Sequence, residues 1–190
     1  MNIAILASHN GSGFDAIYEA IEQKTLAANI VLLISNNHDS KAIQKAKSRN
    51  IQTYIVNAKS DADPDAKILK LLLESQCDTV FLSGYMKKLS KTITEKFTIL
   101  NSHPSLLPKY GGRGMYGHYV HEAVIAHGEK ESGVTIHTVN DVYDEGEIIL
   151  QKSLSITENE TALSLERKIK ELEKRAIIQA LTQLIGKNIS

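Results

Sequence analysis

The chain has 190 residues, 22 basic and 22 acidic side chains with a formal charge of zero, and 42% hydrophobic residues. Such a length suits a single domain, 1–190, able to bury a core of its own. The even charge argues against a surface built on nucleic-acid phosphates. No apolar run reaches the ~18 residues of a membrane span. Cys77 is the only cysteine, so it forms neither an internal disulfide nor a thiolate metal cage and reads as a buried structural thiol. The N-terminal run has no basic leader region, and a reducing, cytoplasmic location is expected.

Residues 3–7 form a short branched strand, and 12–23 place Phe14, Ile17, Ala20 and Ile21 at helical spacing. A second strand at 30–35, a helix at 40–50 and a strand at 53–56 follow. Residues 64–76 begin at Pro64, a good first-turn residue, and carry Ile68, Leu71 and Leu72 on one helical face. Strand four is 79–84 and strand five 97–103. A proline- and glycine-rich loop covers 104–116, with a helix near 117–127. Residues 133–139 and 147–156 alternate like a hairpin. The last segment, 161–185, is a long amphipathic helix with Leu163, Leu165, Ile169, Leu172, Ala176, Ile177 and Leu181. Strands apolar on both faces, alternating with helices, imply an α/β fold: a Rossmann-like, open, mostly parallel sheet flanked by helices, with an antiparallel strand near the C-terminal end.

The first loop, Ser8-His9-Asn10-Gly11-Ser12-Gly13, joins a strand to a helix. Glycines ahead of a helix N-terminus suit a phosphate, a dinucleotide or a plain tight turn. A dinucleotide site wants an acidic residue at the end of strand two. That strand ends in Ser35, Asn36 and Asn37, which favours a phosphate over NAD.

The run Asn101-Ser102-His103-Pro104 raises a sharper expectation. Side chains alternate along a strand, so Asn101 and His103 share one face and Ser102 takes the other. Pro104 keeps His103 extended. An amide and an imidazole at the C-terminal end of a parallel strand suit a developing oxyanion and a proton relay. The turn 140–147 offers Asp141, Asp144, Glu145 and Glu147 as the partner acid. The helix near 117–127 carries His121-Glu122, but its next histidine is His127, so a zinc-binding H-E-x-x-H pattern is absent and no metal is expected.

Residues 101–117, NSHPSLLPKYGGRGMYG, together with the distant DEGEIIL at 144–150, resemble the folate-dependent formyltransferases. The resemblance runs over essentially the whole chain. It points within that superfamily to the branch that formylates glycinamide ribonucleotide in purine synthesis. It implies catalytic Asn101, His103 and Asp144, with His103 donating a hydrogen bond to Asp144 or to a bridging water. It places the substrate phosphate on Asn10, Gly11, Ser12 and Gly13, and the glycinamide end at Glu173. The formyl donor, 10-formyltetrahydrofolate, falls to Met86, Lys88, Leu89, Val139, Asn140, Asp141 and Tyr143. Partners are then these two small molecules, with neither nucleic acid nor membrane, in a monomer or a homodimer. Three residues depart from the pattern: Gly13 lacks a side-chain amide, Ser102 replaces an apolar residue and reads as a packing change, and Glu145 adds charge beside Asp144. A formyltetrahydrofolate hydrolase and a noncatalytic dinucleotide-binding module are the alternatives. The hydrolases carry an extra N-terminal regulatory domain, which the start of this chain at strand one does not suggest.

Overall fold

The computed structural model describes residues 1–187. Seven strands form one sheet in the order β3-β2-β1-β4-β5-β6-β7. The strands are β1 (Asn2–Leu6), β2 (Asn29–Ser35), β3 (Thr53–Ile55), β4 (Thr79–Leu82), β5 (Thr98–His103), β6 (Glu131–Thr138) and β7 (Ile148–Ser155). The helices are α1 (Ser12–Glu22), α2 (Lys41–Ser48), α3 (Pro64–Glu74), α4 (Lys91–Thr94), α5 (His118–Ala126) and α6 (Ala162–Lys187). β1 to β5 run parallel. β6 is antiparallel to β5, and β7 to β6. The open, mostly parallel sheet with an antiparallel end matches the expected class.

Two apolar layers sandwich the sheet. Ile3, Ile5, Phe81 and Leu100 face Phe14, Ile17, Ala42, Val120, Ile169 and Ile177 of α1, α2, α5 and α6. Ala4, Leu6, Val80 and Ile99 face Ile68, Leu71, Leu72 and Ile93 of α3 and α4. β1 sits between β2 and β4, so the connections leave it in opposite directions. That reversal opens a crevice at the C-terminal ends of β1 and β4, where ligands bind in open α/β sheets.

Local chemistry explains most element ends. Asp63 caps α3 by accepting from the Ala66 amide at 2.9 Å, and Pro64 occupies the first turn. Cys77 is buried, as its place after α3 implied. The short α4 was not foreseen, since a single turn carries no periodicity. In α6 the buried face is Leu165, Ile169, Leu172, Ala176, Ile177, Ala180 and Leu181. Leu163 was assigned to that face but is exposed, lying two residues, or ~200°, from Leu165 around the helix.

His121 of α5 is buried, and its Nδ1 has no hydrogen-bond partner among the described residues. Burial pushes its pKa down from 6.5 to about 4, against the pull of Glu166. The folded state therefore binds fewer protons here than the unfolded chain does. Stability is fully present above pH 6.5 and falls as pH drops from there towards 4. The loss has an upper bound of about 3 kcal/mol. Urea denaturation at about pH 5 and about pH 7.5 should show this slope, and His121→Gln should flatten it. An unchanged slope in the variant would remove His121 as its cause.

Candidate active site

The site grows from the end of β5. Asn101 pairs with Leu82 of β4 on one side and His137 of β6 on the other. Beyond Asn101, β6 alone carries the pairing through Ser102 and His103 to Pro104. Asn101 and His103 project to one face and Ser102 to the other, as alternation requires.

His103 is buried, and its Nε2 lies 2.6 Å from the Tyr110 carbonyl oxygen. A carbonyl only accepts, so Nε2 carries a proton. Nδ1 is the ring position left to gain or lose one. Asp144 Oδ2 faces it at 3.6 Å. That spacing exceeds a direct hydrogen bond. The ring's direct hydrogen bond goes to Tyr110 instead.

Asp144 serves more than His103. Its Oδ2 accepts from the Gly112 amide at 2.8 Å, and its Oδ1 faces His137 Nε2 at 3.6 Å. Asp144 itself takes φ 59°, the left-handed region, which turns its carboxylate back towards the sheet. Gly111 comes so close that an added Cβ would stand 3.3 Å from the Asp144 Cβ and 2.6 Å from a Leu107 methyl. The glycine run thus lets backbone approach the acid and donate to it. The Leu107–Pro108 bond within this loop is cis.

The sequence pattern alone gives His137 no role. The structure gives it a defined place. Its Nδ1 donates to the Thr138 carbonyl at 2.9 Å, so Nε2 is the acceptor and takes an N–H of Asn101 at 3.1 Å. Burial holds the His137 pKa below its usual range, which keeps that lone pair available. One N–H of the Asn101 amide remains uncommitted among the described residues. A strand-end His across from Asn101 was findable only with the antiparallel β5–β6 register in hand.

The glycine loop lies at the neighbouring strand end. Gly11 adopts φ 67° at the N-cap of α1, and an added Cβ would meet the Ala42 Cβ at 2.8 Å. Lys45 of α2 donates to the Asn10 carbonyl at 2.9 Å and to Asp15 at 2.5 Å, tying the loop to α2. Gly13 is buried, and a Cβ there would stand 2.7 Å from the Phe81 ring and 3.1 Å from Ser83 Oγ. Ser83 Oγ accepts the Phe14 amide at 3.0 Å, so that helix-terminal donor is already taken. Ser8 Oγ donates to Asn36 Oδ1 at 2.6 Å, occupying the end of β2 where a ribose-binding acid would stand. The Met86 amide donates to the same Ser8 oxygen at 2.7 Å, drawing the β4 loop onto the β1 loop.

The remaining expected positions scatter around this centre. Met86 and Lys88 are exposed, whereas Leu89 is packed into the core beside Ile93. Val139 is half-buried, with its amide on Ile99. Asn140 holds the turn by accepting from the Val142 amide at 2.8 Å, and Asp141 and Tyr143 are exposed on that turn. Ser102 was read as a packing change, but its hydroxyl donates to Glu173 Oε1 at 2.5 Å. Among the described residues, no three His, Cys, Asp or Glu side chains are grouped to hold a metal ion. No helix there is long and apolar enough to cross a membrane.

Gly146 sets the turn that delivers Asp144. An added Cβ would sit 1.6 Å from the Thr138 carbonyl oxygen, a clash with backbone that cannot swing away. Gly146→Ala should lower the thermal midpoint by ~4 °C or more, whereas the exposed Glu145→Ala should change it little. Equal midpoints in the two variants would show that the turn reshapes freely.

The model of the formyl transferase family matches residues 1–181. The chain is 32% identical over 193 residues to the chloroplastic phosphoribosylglycinamide formyltransferase of Arabidopsis thaliana, with 98% of this chain covered. It spans 66% of that protein's length, just under two thirds. It is 31% identical over 190 residues to the phosphoribosylglycinamide formyltransferase of Bacillus subtilis (strain 168), covering 97% of this chain and 95% of the relative. The crystal structure of phosphoribosylglycinamide formyltransferase from Bacillus halodurans superimposes with a TM-score of 0.89 at 31% identity, covering 99% of this chain and 97% of that one. A formyltetrahydrofolate deformylase from Pseudomonas syringae shares the fold, with a TM-score of 0.83 at 22% identity, over 95% of this chain and 59% of that one.

Proposed function

The chain belongs to the formyl transferase family, and we propose that it transfers the formyl group of 10-formyltetrahydrofolate to the amine of glycinamide ribonucleotide. The observation that carries this reading is the convergence of Asn101, His103, His137 and Asp144 at the end of β5, with one amide N–H uncommitted. The relatives' names supply the acceptor.

The bound folate supplies an activated formyl group. The uncommitted Asn101 N–H stabilises the negative charge that develops on the formyl oxygen as the amine attacks. His137 holds the Asn101 amide so that this donor keeps its direction. His103 and Asp144 handle protons. The attacking nitrogen sheds one and the departing folate nitrogen gains one, so the transfer needs no net proton. His103 Nδ1, facing Asp144, is the ring atom through which that exchange is relayed.

Binding follows from the surroundings. Met86 and Tyr143 keep apolar surface exposed at the loops beside the site, which suits a flat pterin. Lys88, Val139, Asn140 and Asp141 border the same folate subsite, with Leu89 as its packed floor. The phosphate rests on the loop Asn10, Gly11, Ser12 and Gly13 at the N-terminus of α1. Glu173 meets the glycinamide end.

The test is an absorbance assay of folate product from 10-formyltetrahydrofolate, with and without glycinamide ribonucleotide. Product is expected only when the amine is present. Product at equal rates without it would make the protein a hydrolase. His103→Ala and Asp144→Asn should each lower kcat by roughly 10²- to 10⁴-fold with the circular dichroism unchanged. Near-normal turnover in either variant would overturn the assignment.

A further inference from the structure

The second face of the β5 end also carries a polar arrangement. Ser102 points away from Asn101 and His103 towards α6, where its hydroxyl reaches Glu173 Oε1 at 2.5 Å. Both residues are half-buried. Among the described residues Glu173 Oε2 has no hydrogen-bond partner and Glu173 makes no ion pair. The flanking cations are engaged elsewhere. Lys170 binds Glu166, which also holds His118 of α5, and Lys174 binds Glu171. The groups that favour the charged form of Glu173 are the Ser102 hydroxyl from β5 and the field of Lys170 from α6; burial opposes them and raises its pKa.

A carboxylate pinned on one oxygen and open on the other is a ready acceptor for an N–H group. Without the hydroxyl, the same side chain has three free torsions and a partly desolvated charge. We propose that Ser102 is a positioning residue for the acceptor substrate: its hydroxyl pins Glu173 so that the second carboxylate oxygen receives an N–H of the acceptor's glycinamide end. This rests on the reading of the chain as a formyl transferase with an amine-bearing acceptor. In this arrangement β5 addresses the transferred group with one face and the acceptor with the other. Ser102 acts through Glu173, so its loss weakens acceptor binding and leaves the formyl-transfer face intact.

Titration calorimetry with glycinamide ribonucleotide, across about pH 5 to 8, reads this without turnover. Ser102→Ala should bind the acceptor about tenfold more weakly, the scale of one hydrogen bond to a charged group. The pH below which affinity falls should also move upwards, because the lost hydroxyl favoured the ionised carboxylate. Ser102→Thr keeps a hydroxyl and should stay near wild type in both respects. Glu173→Gln should abolish the acid limb. Steady-state kinetics of Ser102→Ala should show a raised KM for the acceptor, with kcat and the folate KM close to wild type. Wild-type binding by Ser102→Ala would overturn the proposal. So would equal weakening in the Ala and Thr variants with an unmoved acid limb, which marks a packing effect. If the expected binding pattern appears but no formyl transfer occurs, the functional reading falls and the Ser102 proposal stands. A wild-type protein that does not bind the acceptor overturns both.

Discussion

The two-residue alternation of β5, carried without a break into Pro104, is the constraint on which the site depends. Pairing with β4 up to Asn101 and with β6 up to His103 fixes the strand, so its last three side chains have no freedom to share a face. Asn101 and His103 go one way and Ser102 the other. A bulge anywhere in the strand would exchange these sets and dismantle both. The antiparallel β6 adds the second condition. Its register sets His137 opposite Asn101, and the turn that follows folds back to bring Asp144 between two imidazoles.

Charge balance then follows from hydrogen-bond direction. The Thr138 carbonyl commits His137 to a proton on Nδ1. Its Nε2 is therefore an acceptor, and the Asn101 side chain must present nitrogen rather than oxygen to it. That orientation leaves the second N–H of the Asn101 amide as a donor uncommitted among the described residues. A protonated His137 would lose the lone pair and release the amide. Burial opposes that protonation. His137 is thus the residue that decides what Asn101 can do.

Much of the fold was legible because its signals are local. Short branched runs and helical periodicity marked seven strands and five of the six helices, and Pro64 marked the start of α3. The exceptions have physical causes. A one-turn α4 is too short for a period, and Leu163 lies near enough in sequence to the buried stripe to be mistaken for part of it. In the site, Asn101 and His103 were visible as a pattern and Asp144 through the resemblance, and the structure brings the three together. His137 and the Ser102–Glu173 pair were not, because each depends on a partner set by register or by packing 36 and 71 residues away. The Tyr110 carbonyl under His103 leaves no trace in sequence at all, since any residue supplies a carbonyl.

Family membership leaves the acceptor open, because the proposed oxyanion donor and proton relay would serve attack by water as well as by an amine. What separates the two lies outside the formyl-transfer face. Water needs no phosphate site and no carboxylate to orient it from the far side of β5. This chain has a glycine loop shaped by close contacts, with Gly13 pressed against Phe81 and one helix donor assigned to Ser83. It also keeps the Glu173 carboxylate half-buried with no ion pair among the described residues, at an energetic cost that the Ser102 hydroxyl offsets in part. Both are features that the proposed acceptor, anionic at one end and amine-bearing at the other, would use.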